Sequence, residues 1–177
     1  QPVFTEKPID LNNGFFMVKQ GETAGVVNYF AEVIMDWTNL KCEKLTIDIL
    51  NNRVLFFNNS SWGIADYTGN ILIQPQFIDI IPWSDTTYRV RKSNLWGLQN
   101  IEDTIIVPCI YDSIGDLNSG YAEAILRDKD KAWIKYKGLL DSNGHEIDTN
   151  TKVLNDKYIA YERFSRWGVR STLGQDI

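Results

Sequence analysis

The 177-residue sequence predicts an all-β protein built from about five repeated units of three to four antiparallel strands. Three observations lead to this fold class: a glycine recurs at a regular spacing, aromatic and β-branched runs surround it, and turn-forming dipeptides separate those runs. The recurring glycines are Gly25, Gly63, Gly97, Gly138 and Gly168, spaced 38, 34, 41 and 30 residues apart. A period of about 36 residues is that of a supersecondary unit. We therefore expect one repeat domain over residues 1–177.

The first predicted strand of each unit lies before the glycine. In the third unit it reads YRVR from Tyr88, where aromatic or apolar residues alternate with charged ones. The equivalent runs are FFMV from Phe15, VLFF from Val54, YAEAIL from Tyr121 and YIAY from Tyr158. A period of two indicates a strand with one solvent-facing side. The next strand contains the glycine itself.

A second turn and a third strand follow the glycine. The second unit has YTGN from Tyr67, and the fourth has DSNG ending at Gly144. Asn-Gly between apolar runs is a strong hairpin signal, because both residues accept positive φ. The third strands end near Pro75 and Pro108, and proline belongs at a strand end or edge because it has no N–H to donate. Each unit is therefore predicted to be a meander of three or four strands.

The two ends of the sequence complement each other. An acid follows Pro75 four residues later, at Asp79, and Pro2 to Glu6 repeats that spacing. The residues after Gly168 lack such a tail, so we expect the two ends to complete one unit, as closed rings of meanders do to remove free edges. This favours a closed, propeller-like ring. The short mean repeat favours the alternative, an open β-solenoid.

The pattern resembles the bacterial WG-repeat family, whose units read as strand, Trp-Gly, apolar pair with Asp or Asn, Gly turn, apolar pair and a Pro–aromatic–Asp tail. The matching anchors are Trp62-Gly63, Trp96-Gly97 and Trp167-Gly168, and VPCIYDSI is the best tail. Two copies depart from the pattern, with Ala24 and Lys137 in place of tryptophan, and KDKAWIKYKG looks like an insertion. The resemblance implies a β-rich repeat protein whose motif is structural and includes no catalytic residues.

The six tryptophans fall into two groups. Those of the Trp-Gly motifs are expected to pack each unit against the next, because one tryptophan buries about 150–250 Å². Trp37, Trp83 and Trp133 lie outside the motif and are the candidate binding residues. Flat amphipathic rings stack on sugars and anchor protein interfaces. Among the three, Trp83 and Trp133 are the better candidates for exposure, but burial is expected for each one taken singly.

No catalytic or cofactor motif stands out. A Ser-His-Asp triad would have to use the single histidine, His145, which follows a predicted hairpin tip. Cys42 and Cys109 lack metal-ligand spacing and are expected to be buried free thiols, with a disulfide between them as the alternative. Neither a phosphate-binding glycine loop nor a nucleophile elbow occurs. We therefore expect no enzyme activity, no cofactor and no metal.

The many carboxylates leave two alternatives open. The tail acids Glu6, Asp79 and Asp112 are expected to cap turn amides, and the alternative is a ring that binds a cation. Hydrolysis by a pair of carboxylates is a third function class, because aspartate and glutamate are abundant in the sequence.

Net charge and hydropathy limit the partners. The formal charge is −5 and no lysine or arginine run occurs, which disfavours nucleic acid. No stretch approaches the roughly 20 apolar residues of a transmembrane helix. Gln1 is compatible with a removed export signal or a cut boundary, and we favour the periplasm or cell surface over the cytoplasm.

The leading hypothesis is a protein-binding module within a larger bacterial assembly, and the alternative is carbohydrate or cell-wall binding through exposed tryptophans.

Overall fold

The computed structural model describes residues 4–127, 135–149, 151–155, 158–163 and 166–171. All regular structure in these residues is β, and the strands pair antiparallel in sheets of three or four strands. The predicted all-β class of antiparallel repeats is therefore confirmed. No sheet of the described ranges closes on itself, so the predicted propeller-like ring is not supported.

The chain divides into two compact units, of which the first comprises Gln1–Thr86 and Ile101–Thr104. Its first sheet has the order β1 (Ile9–Asp10), β2 (Phe15–Gln20), β3 (Thr23–Asn28) and β4 (Val33–Lys41). Its second sheet has the order β5 (Lys44–Asp48), β6 (Arg53–Asn58), β7 (Ser61–Asp66) and β8 (Ile71–Phe77). Strand β9 (Asp79–Pro82) also belongs to this unit. Both sheets are meanders, so alternate turns lie at the same end of each sheet.

The second unit comprises Thr87–Asn100 and Ile105–Ile177. It contains the meander β10 (Thr87–Lys92), β11 (Leu95–Asn100) and β12 (Ile105–Tyr111). The next sheet has β13 (Ser113–Ile114), β14 (Tyr121–Arg127), β15 (Lys135–Asp141) and β16 (Glu146–Thr149). The last has β17 (Thr151–Asn155), β18 (Tyr158–Arg163) and β19 (Arg166–Ser171).

Every recurring glycine lies on the strand predicted for it. The glycine strands are β3, β7, β11, β15 and β19, one in each of the five sheets. Strands β8 and β12, which follow two of them, share one burial pattern residue by residue. The repeat read from the sequence is thus also a structural repeat.

Alternation along the strands builds the core of the first unit. Met17 and Met35 come from the first sheet, Val54 and Phe56 from the second, and all four are buried in one hydrophobic cluster. Successive side chains of a strand point to opposite faces, so the intervening residues remain on the other face.

Candidate binding surface

The repeated glycine packs against the backbone of the following strand, where a β-bulge interrupts the pairing register. The glycine and carbonyl pairs are Gly25 with Met35, Gly63 with Ile73, and Gly97 with Val107. A Cβ atom on Gly25 or Gly63 would lie 2.5 or 2.6 Å from the paired carbonyl oxygen. Backbone atoms cannot rotate away as a side chain can, so only glycine fits. This explains why the first repeat keeps Gly25 although its tryptophan is replaced by alanine.

The tryptophan of the motif makes its ring contact inside its own sheet. Trp62 is half-buried, and its ring meets Phe57 edge-on with centroids 5.3 Å apart. The guanidinium of Arg91 lies 5.3 Å from the ring centroid of Trp96. Both partners lie directly opposite the tryptophan on the preceding strand. Cross-strand pairing therefore positions these rings.

The third tryptophan of the motif, Trp167, is 64% exposed, so the expectation that it is buried between units is wrong. The cause is its position in the sheet. Trp62 and Trp96 are paired on their other side with Phe77 and Tyr111 of the next strand. In the described residues, β19 is the edge strand of its sheet, so Trp167 lacks such an aromatic neighbour there.

One polar side chain caps the turn after the glycine strand in three repeats, a role that the sequence analysis missed. Its Oδ1 atom accepts two backbone N–H groups, two and four residues later, at 2.8–3.1 Å. The capping residues are Asn28, Asp66 and Asp141. Burial alone would raise the pKa of Asp66, but hydrogen bonds from Thr68 and Asn70 outweigh it and hold that pKa below its ordinary value.

His145 belongs to the last of these turns. Its backbone N–H is donated to Asp141, and its ring Nδ1 lies 3.2 Å from Asp141 Oδ2. The imidazole is largely exposed to solvent. This geometry gives His145 a structural role as part of the turn capped by Asp141.

The three predicted binding tryptophans differ in what the structure shows of them. Trp83 is only 8% exposed, in agreement with the burial expected for each of these tryptophans taken singly, and it lies just after the end of β9. Trp37 is half-buried, and the ring of Phe4 packs edge-on against it with centroids 5.0 Å apart. Trp133 lies outside the described residues.

Two other aromatic side chains occupy an exposed turn between β3 and β4. Tyr29 is 66% exposed and Phe30 is 65% exposed, and their ring centroids lie 3.8 Å apart with a tilt of 36°. We call residues 28–32 the aromatic turn. Val33, which begins β4, is 53% exposed and continues the apolar surface. These adjacent exposed apolar groups make the aromatic turn a candidate interaction site.

The aromatic turn is held by its own hydrogen bonds. Asn28 Oδ1 accepts the N–H groups of Phe30 and Glu32, and its Nδ2 donates to Glu32 Oε2 at 2.6 Å. The N–H of Tyr29 is donated to the carbonyl of Gly14 at 2.8 Å, which ties the turn to the neighbouring one. The turn therefore presents its two rings from an ordered backbone.

One residue of the aromatic turn is strained. Ala31 has φ of 64°, a left-handed conformation that costs an alanine about 1–2 kcal/mol. The equivalent positions in later repeats are Gly69, Asp103 and Gly144, all with positive φ. Glycine or aspartate suits this position better than alanine does. The turn keeps the conformation because the hydrogen bonds of Asn28 determine it.

Charge is distributed unevenly between the two ends of the first sheet. The aromatic turn and the adjoining turn carry Glu32 and Asp10, and no lysine or arginine occurs between Lys19 and Lys41. The two lysines lie at the opposite end, where they pair with Glu6 at 3.5 Å and Glu22 at 3.0 Å. Within this sheet, the end that presents the aromatic rings therefore carries carboxylates without lysine or arginine, while Lys44 of the second sheet lines an open depression together with Asp10.

The lysine end of the first unit holds an open depression of about 450 Å³. Its lining includes Lys19, Lys41, Cys42 and Asn59. Burial raises the pKa of the Cys42 thiol to about 11, so the thiol is protonated near neutral pH and is a poor nucleophile. Cys42 and Cys109 are free thiols.

Two general features bear on the function. Within the ranges that the structure describes, no three His, Cys, Asp or Glu side chains form a group able to hold a metal ion. The same ranges contain no helix of the length and hydrophobicity needed to cross a membrane.

A comparison with known protein families agrees with the repeat geometry. The model of the WG-containing repeat matches residues 62–96 and again residues 96–129. No curated protein matches the sequence. Among solved structures, a chain from the S. cerevisiae complex of variant dbp5 and gle1 with nup159, IP6 and ADP is 10% identical, with a TM-score of 0.43. That match covers 97% of this chain and 62% of the other. The two matched segments each begin at a Trp-Gly pair, so residues 62–129 of this chain contain two WG-containing repeats.

Proposed function

We propose that this protein is a non-catalytic module that binds another protein through the aromatic turn. The observation that carries the proposal is the pair of exposed rings, Tyr29 and Phe30, on a turn fixed by hydrogen bonds. Such a module would act as a subunit or recognition domain of a larger assembly.

Physical chemistry favours this surface over others of the first unit. Aromatic side chains supply large contact area at a small entropic cost, and they are enriched among the residues that dominate binding energy. The ordering of the turn is already complete, because Asn28 and the Gly14 carbonyl fix its backbone. A partner that covers the rings therefore loses little free energy in ordering the loop.

The proposal that the module is not an enzyme rests on how its reactive groups are used. His145 and Asp141 form a turn cap, and the thiol of Cys42 is buried and protonated. These groups have structural partners that account for them. An assay of the intact protein against panels of ester, peptide and glycoside substrates tests this proposal, and turnover that survives further purification would contradict it.

Crosslinking with mass spectrometry tests the binding proposal, with the full chain as bait in an extract of the native organism. The comparison is between the parent and the double variant Tyr29→Ser, Phe30→Ser. The matched control is Leu50→Ser, which removes an apolar side chain that is 94% exposed on another turn of the same unit. We expect a stoichiometric protein that the parent and the control recover and that the double variant loses. Equal recovery by all three proteins would refute the aromatic turn as the binding site.

Carbohydrate binding through tryptophans is the weaker candidate. Of the tryptophans predicted to bind, Trp83 is buried and Trp37 is half-buried beneath Phe4; Trp167 is exposed but belongs to the repeat motif and not to that set. A glycan array probed with the parent and the double variant separates the two functions. A glycan signal that depends on Tyr29 and Phe30 would replace the protein-binding proposal with stacking on a sugar ring.

A further inference from the structure

We infer that the aromatic turn recognises a segment of its protein partner in which an arginine lies beside an apolar side chain. The inference rests on the proposed function and adds the chemistry of the partner. Its support comes from the ring pair, from the charge around it and from the apolar surface next to it.

The ring pair offers faces to a flat cation. Tyr29 and Phe30 lie 3.8 Å apart between centroids and are tilted by 36°, with about two thirds of each side chain exposed. A guanidinium group stacks on an aromatic face and is attracted by the ring quadrupole. The chain uses this contact itself, since Arg91 lies over Trp96 and Lys44 lies 5.6 Å from the ring centroid of Phe57.

The charge around the rings selects a cation. Glu32 belongs to the aromatic turn, and Asp10 lies beside the adjoining turn, whose Gly14 accepts the N–H of Tyr29. No lysine or arginine occurs from position 20 to position 40, and Lys44 of the second sheet lines a depression that includes Asp10 but not Glu32. A basic segment is therefore attracted to this end of the sheet, and an acidic segment is repelled. Arginine fits better than lysine because its planar guanidinium can stack on a ring and donate to a carboxylate at the same time.

The surface also offers an apolar neighbour to the cation site. Val33 follows Glu32 directly and is half exposed, so a partner with arginine alone would leave this surface uncovered. Covering Val33 and the edge of Tyr29 with an apolar side chain removes that area from water. This surface therefore fits an arginine next to an apolar side chain better than it fits a run of basic residues.

Selection from a random phage-displayed peptide library on the full chain tests the inference. Enriched peptides are synthesised, and their affinities are measured by fluorescence polarisation at low and at physiological salt. We expect arginine next to an aliphatic or aromatic residue in the enriched sequences. Phe30→Ser should weaken binding about tenfold. Glu32→Gln, which keeps an acceptor for Asn28 and removes the charge, should weaken it roughly twofold to fivefold.

The controls separate failure of the inference from failure of the proposed function. Leu50→Ser should bind the selected peptides as the parent does. Selected peptides without arginine or lysine, lost with Phe30→Ser and unaffected by Glu32→Gln, would overturn the inference and leave the protein-binding site intact. Peptides that bind the parent and Phe30→Ser equally would overturn both.

Discussion

Replacement of the motif glycine by alanine is the most direct test of why this repeat carries Trp-Gly. Gly97 is the best position, because a Cβ atom there would overlap the Val107 carbonyl oxygen and lie 2.8 Å from Cys109 N and Pro108 C. Ordinary contacts of this kind are several tenths of an ångström longer. The three atoms belong to one bulge, so the strand must move as a unit to admit a methyl group.

The size of the effect follows from that geometry. Overpacking by one carbon costs about 1–3 kcal/mol, and backbone contacts place Gly97→Ala near the upper end, at about 3 kcal/mol. For a chain of this size, this corresponds to a fall in Tm of roughly 6–12 °C. Circular dichroism during a thermal ramp, with urea titration for the free energy of unfolding, measures both.

Gly115→Ala is the matched control in the same unit. A Cβ atom at Gly115 meets only Glu123 backbone atoms at 3.5 and 3.7 Å, which are ordinary contacts. Its free energy of unfolding should change by less than about 0.5 kcal/mol. If Gly97→Ala and Gly115→Ala unfold at the same temperature, the argument that the bulge requires glycine is refuted.

Four further predictions concern the turns and a thiol. Asp66→Ala should lower the free energy of unfolding by about 1–3 kcal/mol in urea titration, because its carboxylate accepts several turn hydrogen bonds. The pKa of Asp66 is lower in the folded than in the unfolded protein. The Asp66 carboxylate therefore stabilises the fold above its unfolded pKa of about 4, and this stabilisation is lost as the pH falls through its folded pKa. The variant Asp66→Asn should lack this part of the loss of stability in acid. Ala31→Gly should raise Tm, and a fall would contradict the assigned strain at φ of 64°. Cys42 should react with a thiol reagent slowly in the folded protein and fast in denaturant at mildly alkaline pH, and equal rates would contradict its burial.

The strand order was predictable from the sequence because glycine and turn residues act locally. The five glycines mark the five glycine strands, and Asn-Gly at Gly144 marks a turn with φ of 81°. Both signals depend on backbone conformation within a few residues. Gly25 was recognisable as a repeat anchor without tryptophan for the same reason. The bulge beside it requires a residue without a Cβ atom and does not require an indole ring.

Side-chain exposure was harder to predict because it depends on which way a strand end turns. Trp83 lies one residue after an exposed proline. Alternation from the buried Ile80 along β9 does not decide whether Trp83 is buried, because the strand ends before it.

The aromatic turn was not predicted although the sequence contains a signal for it. Aligning Asn28 with the other capping residues, Asp66 and Asp141, would have placed Tyr29 and Phe30 inside a turn. Two adjacent aromatic residues at a turn are not expected to be buried in a core, so this alignment would have predicted their exposure.

The measurement that tests the central claim most directly is hydrogen–deuterium exchange on the full chain with and without the crosslinked partner. The backbone N–H groups of residues 28–33 report on the aromatic turn, and the corresponding turn at 67–70 is the internal control. The account predicts that the partner slows exchange at 28–33 and leaves 67–70 unchanged. Protection elsewhere on the chain, with exchange at 28–33 unaltered, would contradict it.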